Sequence, residues 1–309
     1  MVNGLGRFFW LGLVLLLTHT AQARSYRYPV TGWNFDWDDN IFYMPTQIRL
    51  WTSSGEEIGV STADYALIRE KIGVEAPWDR HEFRTDLATG SLRFFGDEGS
   101  RENIFLKDVL QAMASHRDQW QGPSWPAFVR ATSNPATARN ISIITARMHS
   151  PRTIYAALKE LQRRGFIRHL PLQRNIFPVG YPKIDPRFSG SSGSPSAAKA
   201  VVMAHLLDQF DRLPLAGRPP VENREGTGRA ALHLWGFSDD DYGNYSKAAD
   251  FLSKEVARGR WKNMKISLYF TGKNHPTIGP RLEVIQSDGS LRRIGPNCPQ
   301  DVLRAVGER

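Results

Sequence analysis

Acidic side chains at strand ends are the first candidates for chemistry. Gly32-Trp33-Asn34-Phe35 is an apolar lead-in, read as a short strand from Gly32 to Trp37, that runs into Asp36, Asp38 and Asp39. In an extended segment, residues two apart point to the same side. Asp36 and Asp38 so placed can divide labour, one as nucleophile and the other as general acid and base. A surface turn is the competing reading, because Asp38-Asp39-Asn40 is also good loop chemistry. A second acidic run, Asp239-Asp240-Asp241, follows the apolar stretch Ala231 to Phe237. Gathered carboxylates repel one another unless a cation lies between them, and oxygen-only ligands suit Mg²⁺. This run too could be a solvated turn, with Gly243 and Asn244 close by. Between the two lies Ile141-Ser142-Ile143-Ile144-Thr145, a β-branched run whose terminal hydroxyl could hydrogen-bond a phosphate oxygen.

These residues meet only if the strands that carry them are parallel neighbours, since ligands in open α/β sheets bind beyond the carboxyl ends of the strands. The pattern predicts such a sheet. Ser150 and Pro151 supply an N-cap and a first helical position after Thr145, and Ile154, Ala157, Leu158 and Leu161 form an apolar stripe up to Gly165. Further helices are predicted over Ile104–Met113, Ala197–Leu213 and from about Tyr245. Val201, Ala204, Leu207 and Phe210 are read as one face of the second of these. Late strands are predicted at Met264–Phe270 and Arg281–Ile285, the latter hairpinned through Ser287-Asp288-Gly289-Ser290. A hairpin from Gln47 to Ser61 turns at Ser53-Ser54-Gly55. Thr62 or Asp64 is taken to cap a helix holding Tyr65, Leu67, Ile68 and Ile72. Leu92 to Phe95 is read as a strand, Gln119 to Pro135 as a loop, and Gly190 to Ser196 as a linker. Alternating strands and helices imply an α/β fold with a mainly parallel, Rossmann-like sheet.

The bulk numbers set limits on function. The 309 residues carry a net charge of +9, which favours anionic partners or simply keeps the protein soluble. Met1 to Ala23 is basic, then apolar, then ends in Ala21-Gln22-Ala23, the order of a secretory signal peptide. Its apolar run is too short for a membrane span, so a protein in the periplasm or outside the cell is expected. The single cysteine, Cys298, excludes an internal disulfide and a cysteine-built metal site. No basic stripe with interleaved aromatics marks a nucleic-acid surface, so nucleic-acid ends remain a conceivable substrate without specific support.

Three segments together resemble the haloacid-dehalogenase-like superfamily of phosphohydrolases. Asn34-Phe35-Asp36-Trp37-Asp38-Asp39-Asn40 resembles its first motif, Ile143-Ile144-Thr145-Ala146-Arg147 its second, and Gly236 to Asn244 its acidic fourth. The Ser150-Pro151 helix is similar to the phosphatase domains of polynucleotide kinase-phosphatase proteins. The resemblance implies a core of residues 24–46 and 136–309, and a substrate-selecting cap inserted at 47–135, between the first and second motifs. It implies that Asp36 forms an aspartyl-phosphate and binds Mg²⁺, and that Asp38 serves as acid and base while its backbone carbonyl binds the metal. Thr145 and Arg147 would contact the phosphoryl group. Asp240, with Asp239, would complete the metal site, supported by Asn244; the choice among Asp239, Asp240 and Asp241 stays open by one position. The family also places a lysine before the acidic motif; Lys199, at the start of the helix preceding the Ala231–Phe237 strand, is taken for it, with Lys183 as the fallback. Asn40 departs from the Thr or Val common at its place and is read as tuning the site. His149 is read either as a phosphate donor or as a loop histidine held by backbone. Trp120 and Trp125 either stack on a base or sugar or pack beneath their loop. Arg80, Arg84 and Arg93, near Trp78 and His81, contact substrate or face solvent. The expected activity is hydrolysis of small phosphate monoesters. A non-catalytic phosphate- or metal-binding protein and a phosphotransferase are the alternatives.

Overall fold

A computed structural model describes residues 29–86, 88–98, 102–188, 194–214 and 232–296. The expected export signal, Cys298 and most of the Gly190–Ser196 linker lie outside the described residues. No helix among the described residues is long and apolar enough to cross a membrane.

In chain order the strands are β1 (Thr31–Phe35), β2 (Ile48–Thr52), β3 (Glu57–Val60), β4 (His81–Glu82), β5 (Ile141–Thr145), β6 (Ile176–Pro178), β7 (His233–Asp239), β8 (Met264–Phe270), β9 (Arg281–Ile285) and β10 (Leu291–Pro296). The helices are α1 (Thr62–Ile68), α2 (Ile104–Met113), α3 (Arg117–Trp120), α4 (Trp125–Ala131), α5 (Pro135–Ala138), α6 (Pro151–Arg163), α7 (Pro195–Asp211) and α8 (Tyr242–Ala257).

The main sheet runs β10-β9-β8-β7-β1-β5-β6. From β6 to β8 every pairing is parallel; β9 runs antiparallel to β8, and the hairpin at Gly289 joins it to an antiparallel β10. Burial on both faces explains why these strands are nearly all apolar. Trp33, Phe35, Ile141 and Ile143 face one layer, with Phe105 and Val109 of α2, Phe128 of α4, and Ile154 and Leu158 of α6. Ile144, Trp235, Phe237 and Leu268 face the other, with Val202, Met203 and Leu206 of α7 and Ala248 and Leu252 of α8. Two glycines permit close approach. A Cβ on Gly236 would lie 2.7 Å from the Trp33 ring, and one on Gly32 would lie 2.5 Å from Phe210.

A second sheet, β3-β2-β4, packs with α1 around Ile48, Leu50, Val60 and Phe95. This satellite occupies the first part of the 47–135 stretch, whereas Phe105, Val109, Trp120, Trp125 and Phe128 of the second part join the main core.

Several local expectations are corrected. Leu92 to Phe95 forms turns in place of a strand, although Phe95 is buried. The loop assigned to Gln119–Pro135 contains α4 and the end of α3. Ser124 precedes a Pro-containing first turn, and Trp125, Phe128 and Ala131 bury one helical face. Ser61, in place of Thr62 or Asp64, caps α1 by accepting from the Asp64 amide, and Ile72 lies beyond that helix. Ser194 and Pro195 start α7 two residues early, and Asp241 starts α8 at Tyr242. Val201 and Ala204 are only partly buried, since α7 buries the neighbouring Val202, Met203 and Leu206.

Candidate active site

The order of strands in the sheet puts β1 between β5 and β7, with all three parallel, so their carboxyl ends are adjacent. That is the switch point at which open α/β sheets bind ligands. Asp36 follows β1 directly and donates its backbone N–H to the Ser238 carbonyl at 3.0 Å. Thr145 ends β5 and is buried. Asp239 ends β7 and is fully buried.

The acidic cluster consists of Asp36, Asp239 and Asp240, which each bring an oxygen to within 4.8 Å of the others. Lys199, 1% exposed on the first turns of α7, reaches into it. Its Nζ lies 2.7 Å from Asp239 Oδ2 and 3.1 Å from Asp36 Oδ1. The first contact is a hydrogen bond, while the second pairs charges without hydrogen-bond alignment, so Asp36 Oδ1 accepts no hydrogen bond. Lys183, the other candidate, is exposed.

One ammonium faces three carboxylates, and the electrostatics show the imbalance. Burial holds the Asp36 carboxyl well above the usual range; Lys199 opposes this, while Asp239 and Asp38 add to it. Asp239 is raised by burial against the pull of Lys199. Asp240, at the solvent edge, is pushed well up by burial, then by Asp39, Asp239 and Asp36. Burial works against the Lys199 charge, but Asp239 and Asp36 outweigh it and hold the ammonium above its ordinary value. An all-oxygen set in which three carboxylates share one ammonium fits a hard divalent cation.

The remaining acids have other duties. Asp241 accepts from the Gly243 amide at the start of α8 and forms a two-pronged pair with Arg69, at 2.6 and 3.2 Å, just past α1. Asn244 donates to Asp239 Oδ1 at 3.4 Å. Asp39 takes a left-handed φ of 52°, which turns the chain sharply, and accepts from the Thr62 hydroxyl. Burial pushes its carboxyl up to about 6, with Thr62 opposing. The satellite therefore meets the site at two points, Thr62 on Asp39 and Arg69 on Asp241.

Asp36 and Asp38 diverge in partners although both are buried. Asp38 is held by Arg147, whose Nε donates at 2.8 Å and Nη2 at 2.6 Å. Arg147, read from the sequence as a phosphate contact, is 1% exposed and gives those donors to Asp38 and to Thr46 Oγ1. His149 is buried with neither ring nitrogen hydrogen-bonded, and its ring tilts against Phe105. Burial, then Arg147, pushes it down to about 3, so it stays neutral and is not a cationic phosphate donor. Trp120 and Trp125 pack with Phe42 and Phe166, away from any role in stacking on substrate. Arg93 pairs with Glu57 and Arg84 with Glu82.

Asn40 is a tie between strands. Its amide donates to the carbonyls of Asp36 and Ser238 and to Ser238 Oγ, and its oxygen accepts from Ser124 and Thr271. Sequence reasoning missed Thr46, Arg69, Asp108 and Tyr43. Burial and the charges of Asp39 and Asp240 raise the Tyr43 phenol. None of these four stands in a spaced pattern. No family model matches the chain, and no curated protein or solved structure does either.

Proposed function

We propose that the protein is an exported, Mg²⁺-dependent phosphohydrolase that acts on phosphate monoesters with Asp36 as nucleophile. The observation that carries the reading is Lys199, buried between Asp36 and Asp239 while Asp240 completes an oxygen-only cluster at three adjacent strand ends. A nucleophilic carboxylate, a fixed cation and a candidate metal site are what phosphoryl transfer needs in one place. Placement outside the cytoplasm rests on Met1 to Ala23 alone.

Asp36, Asp239 and Asp240 would hold the metal, which when bound supplies positive charge against the phosphoryl oxygens and the crowded carboxylates. Lys199 neutralises Asp36 so that an anionic phosphate can approach. One Asp36 oxygen attacks phosphorus, the ester P–O bond breaks, and Asp38 gives its proton to the departing alcohol. Asp38, now a carboxylate, takes a proton from water, whose oxygen attacks phosphorus. The Asp36–phosphorus bond breaks and inorganic phosphate leaves. Thr145 donates its hydroxyl to a phosphoryl oxygen. The satellite serves as a cap, with Thr62 and Arg69 at its contacts to the rim.

The test is phosphate release from an aryl phosphate by the wild type and by Asp36→Asn, with Mg²⁺ and with chelator. Release that requires both the metal and Asp36 supports the reading. Equal release by Asp36→Asn rules out Asp36 as nucleophile.

A further inference from the structure

A general acid and base works only within hydrogen-bond reach of the oxygen it serves. Asp38 sits on a tight turn, where Asp39 reverses the chain and the Ile41 and Phe42 amides both donate to the Trp37 carbonyl at 3.0 Å. Its carboxylate would be free to rotate without a partner. That partner comes from the far side of the site. Arg147 Nε donates to both Asp38 oxygens, at 3.1 and 2.8 Å, and Nη2 to Oδ1 at 2.6 Å. A guanidinium fork of this kind fixes the plane of a carboxylate, which the point charge of lysine cannot do.

The fork is itself fixed. Nη2 also donates to Thr46 Oγ1 at 3.0 Å, and the Thr46 hydroxyl donates to Asp108 on α2. The guanidinium carbon lies 4.7 Å from the centre of the Phe95 ring and 5.1 Å from that of Phe105. Phe95 is held against the same loop, because its carbonyl accepts from Met148 N at 2.7 Å. Nε and Nη2 are thus committed to Asp38 and Thr46 and the guanidinium plane to both rings, while the buried Nη1 has no partner in the protein.

We propose that Arg147 is a positioning residue that sets the orientation of Asp38 through the chain Asp108–Thr46–Arg147, and that this, not phosphate binding, is its contribution to turnover. The proposal rests on the phosphohydrolase reading and assigns Thr46 and Asp108 to that machinery. Its signature is leaving-group dependence. An alkoxide needs a proton from Asp38 as it departs, whereas a nitrophenolate leaves without one. The value of kcat/KM covers only the steps up to alcohol release, so the later attack of water does not blur the comparison.

The experiment compares ethyl phosphate with 4-nitrophenyl phosphate, in Mg²⁺, for wild type, Arg147→Met, Arg147→Lys and Thr46→Val. Inhibition by inorganic phosphate is measured alongside. Arg147→Met is expected to lower kcat/KM about 100-fold on ethyl phosphate, the low end of what a placed acid contributes, and less than about tenfold on the aryl ester. Phosphate inhibition stays within about twofold, since a uniform binding contact is not being removed. Arg147→Lys restores part of the loss. Thr46→Val shows the same selectivity at about fivefold, close to one hydrogen bond. Equal losses on both esters, or weakened phosphate inhibition, overturn the proposal while leaving the enzyme class intact. If Arg147→Met does not fold, Thr46→Val decides alone, and an unchanged ester ratio rejects the idea. A wild type inert toward both esters overturns the phosphohydrolase reading and this proposal with it.

Discussion

Two buried charge systems lie side by side at the end of β1, and they are built on opposite plans. Around Asp36, one ammonium answers three carboxylates, and each of the three is raised by burial and crowding. Around Asp38, one guanidinium answers one carboxylate with a fork of short hydrogen bonds, and a threonine and a second aspartate extend it. The first arrangement is short of positive charge and so is suited to take up a cation. The second joins its guanidinium and carboxylate directly and is suited to hold a shape. Two residues of sequence separate a candidate cation cluster from a clamped carboxylate.

This contrast is broken most severely by removing its one shared cation on the acidic side. Lys199→Met should cost about 3–5 kcal/mol in metal-free protein, because it leaves Asp36 and Asp239 buried without a partner. Urea unfolding with and without Mg²⁺ measures this, and the metal should recover a larger share of stability than in wild type. A loss that Mg²⁺ leaves unchanged would mean that the cluster does not take the ion.

The two sides should also differ in the sign of their response to pH. His149 beside the clamp has a folded-state pKa of about 3 against an ordinary 6.5. The unfolded chain therefore binds the proton first, and stability present above 6.5 is lost as pH falls toward 3. Between pH 7 and pH 5 this amounts to roughly 2 kcal/mol. Unfolding of His149→Leu beside wild type isolates it as a flatter acid limb. The raised carboxylates of the cluster act oppositely: their stabilisation is present at low pH and lost as pH rises through their folded values.

Asp240→Asn sharpens the comparison at smaller scale. It removes one of the crowded charges, so the metal-free protein should melt higher, by about 2–4 °C for each kcal/mol relieved. The same variant should lose most of the Mg²⁺-induced rise in Tm, read by differential scanning fluorimetry. A lower melting temperature without metal would show that Asp240 is not crowded.

The smallest effect is expected where the satellite touches the rim. The pair of Arg69 with Asp241 is partly open to solvent, so Arg69→Ala should cost less than about 1 kcal/mol. Its effect on turnover should exceed its effect on stability if the satellite acts as a cap. Matching urea midpoints and rates for that variant would leave the satellite no part in catalysis.

Much of this site was legible because strands reveal their ends. Apolar runs that stop at Asp36, Thr145 and Asp239 placed three groups together once parallel pairing was assumed, while Lys199 was reached only through the resemblance, which asks for a lysine before the acidic motif. The ends of elements were less readable where a cap residue outranked its neighbours, as Ser61 did over Thr62 and Asp241 over Tyr245. Trp and Pro hid α4, since those residue types read as loop until the spacing of Trp125, Phe128 and Ala131 is seen to bury one face. The partner of Asp38 was not legible at all. Arg147 lies 109 positions from Asp38 and 101 from Thr46, and a pair that forms through tertiary packing leaves no periodic trace. Asp39, adjacent to both systems, owes its part to one left-handed dihedral that composition does not encode.

The central place of β1 has a consequence for how the chain emerges during synthesis. Its neighbour β7 arrives late: Asn34 must wait 202 positions for the Gly236 carbonyl that its side chain binds. Until then one edge of β1 is open, and nascent domains generally begin to fold from the N-terminal side. Asp36 has neither Asp239 nor Asp240 for company in that interval. The three-carboxylate cluster therefore cannot assemble from the N-terminal part of the chain alone and waits for β7 to take its place beside β1.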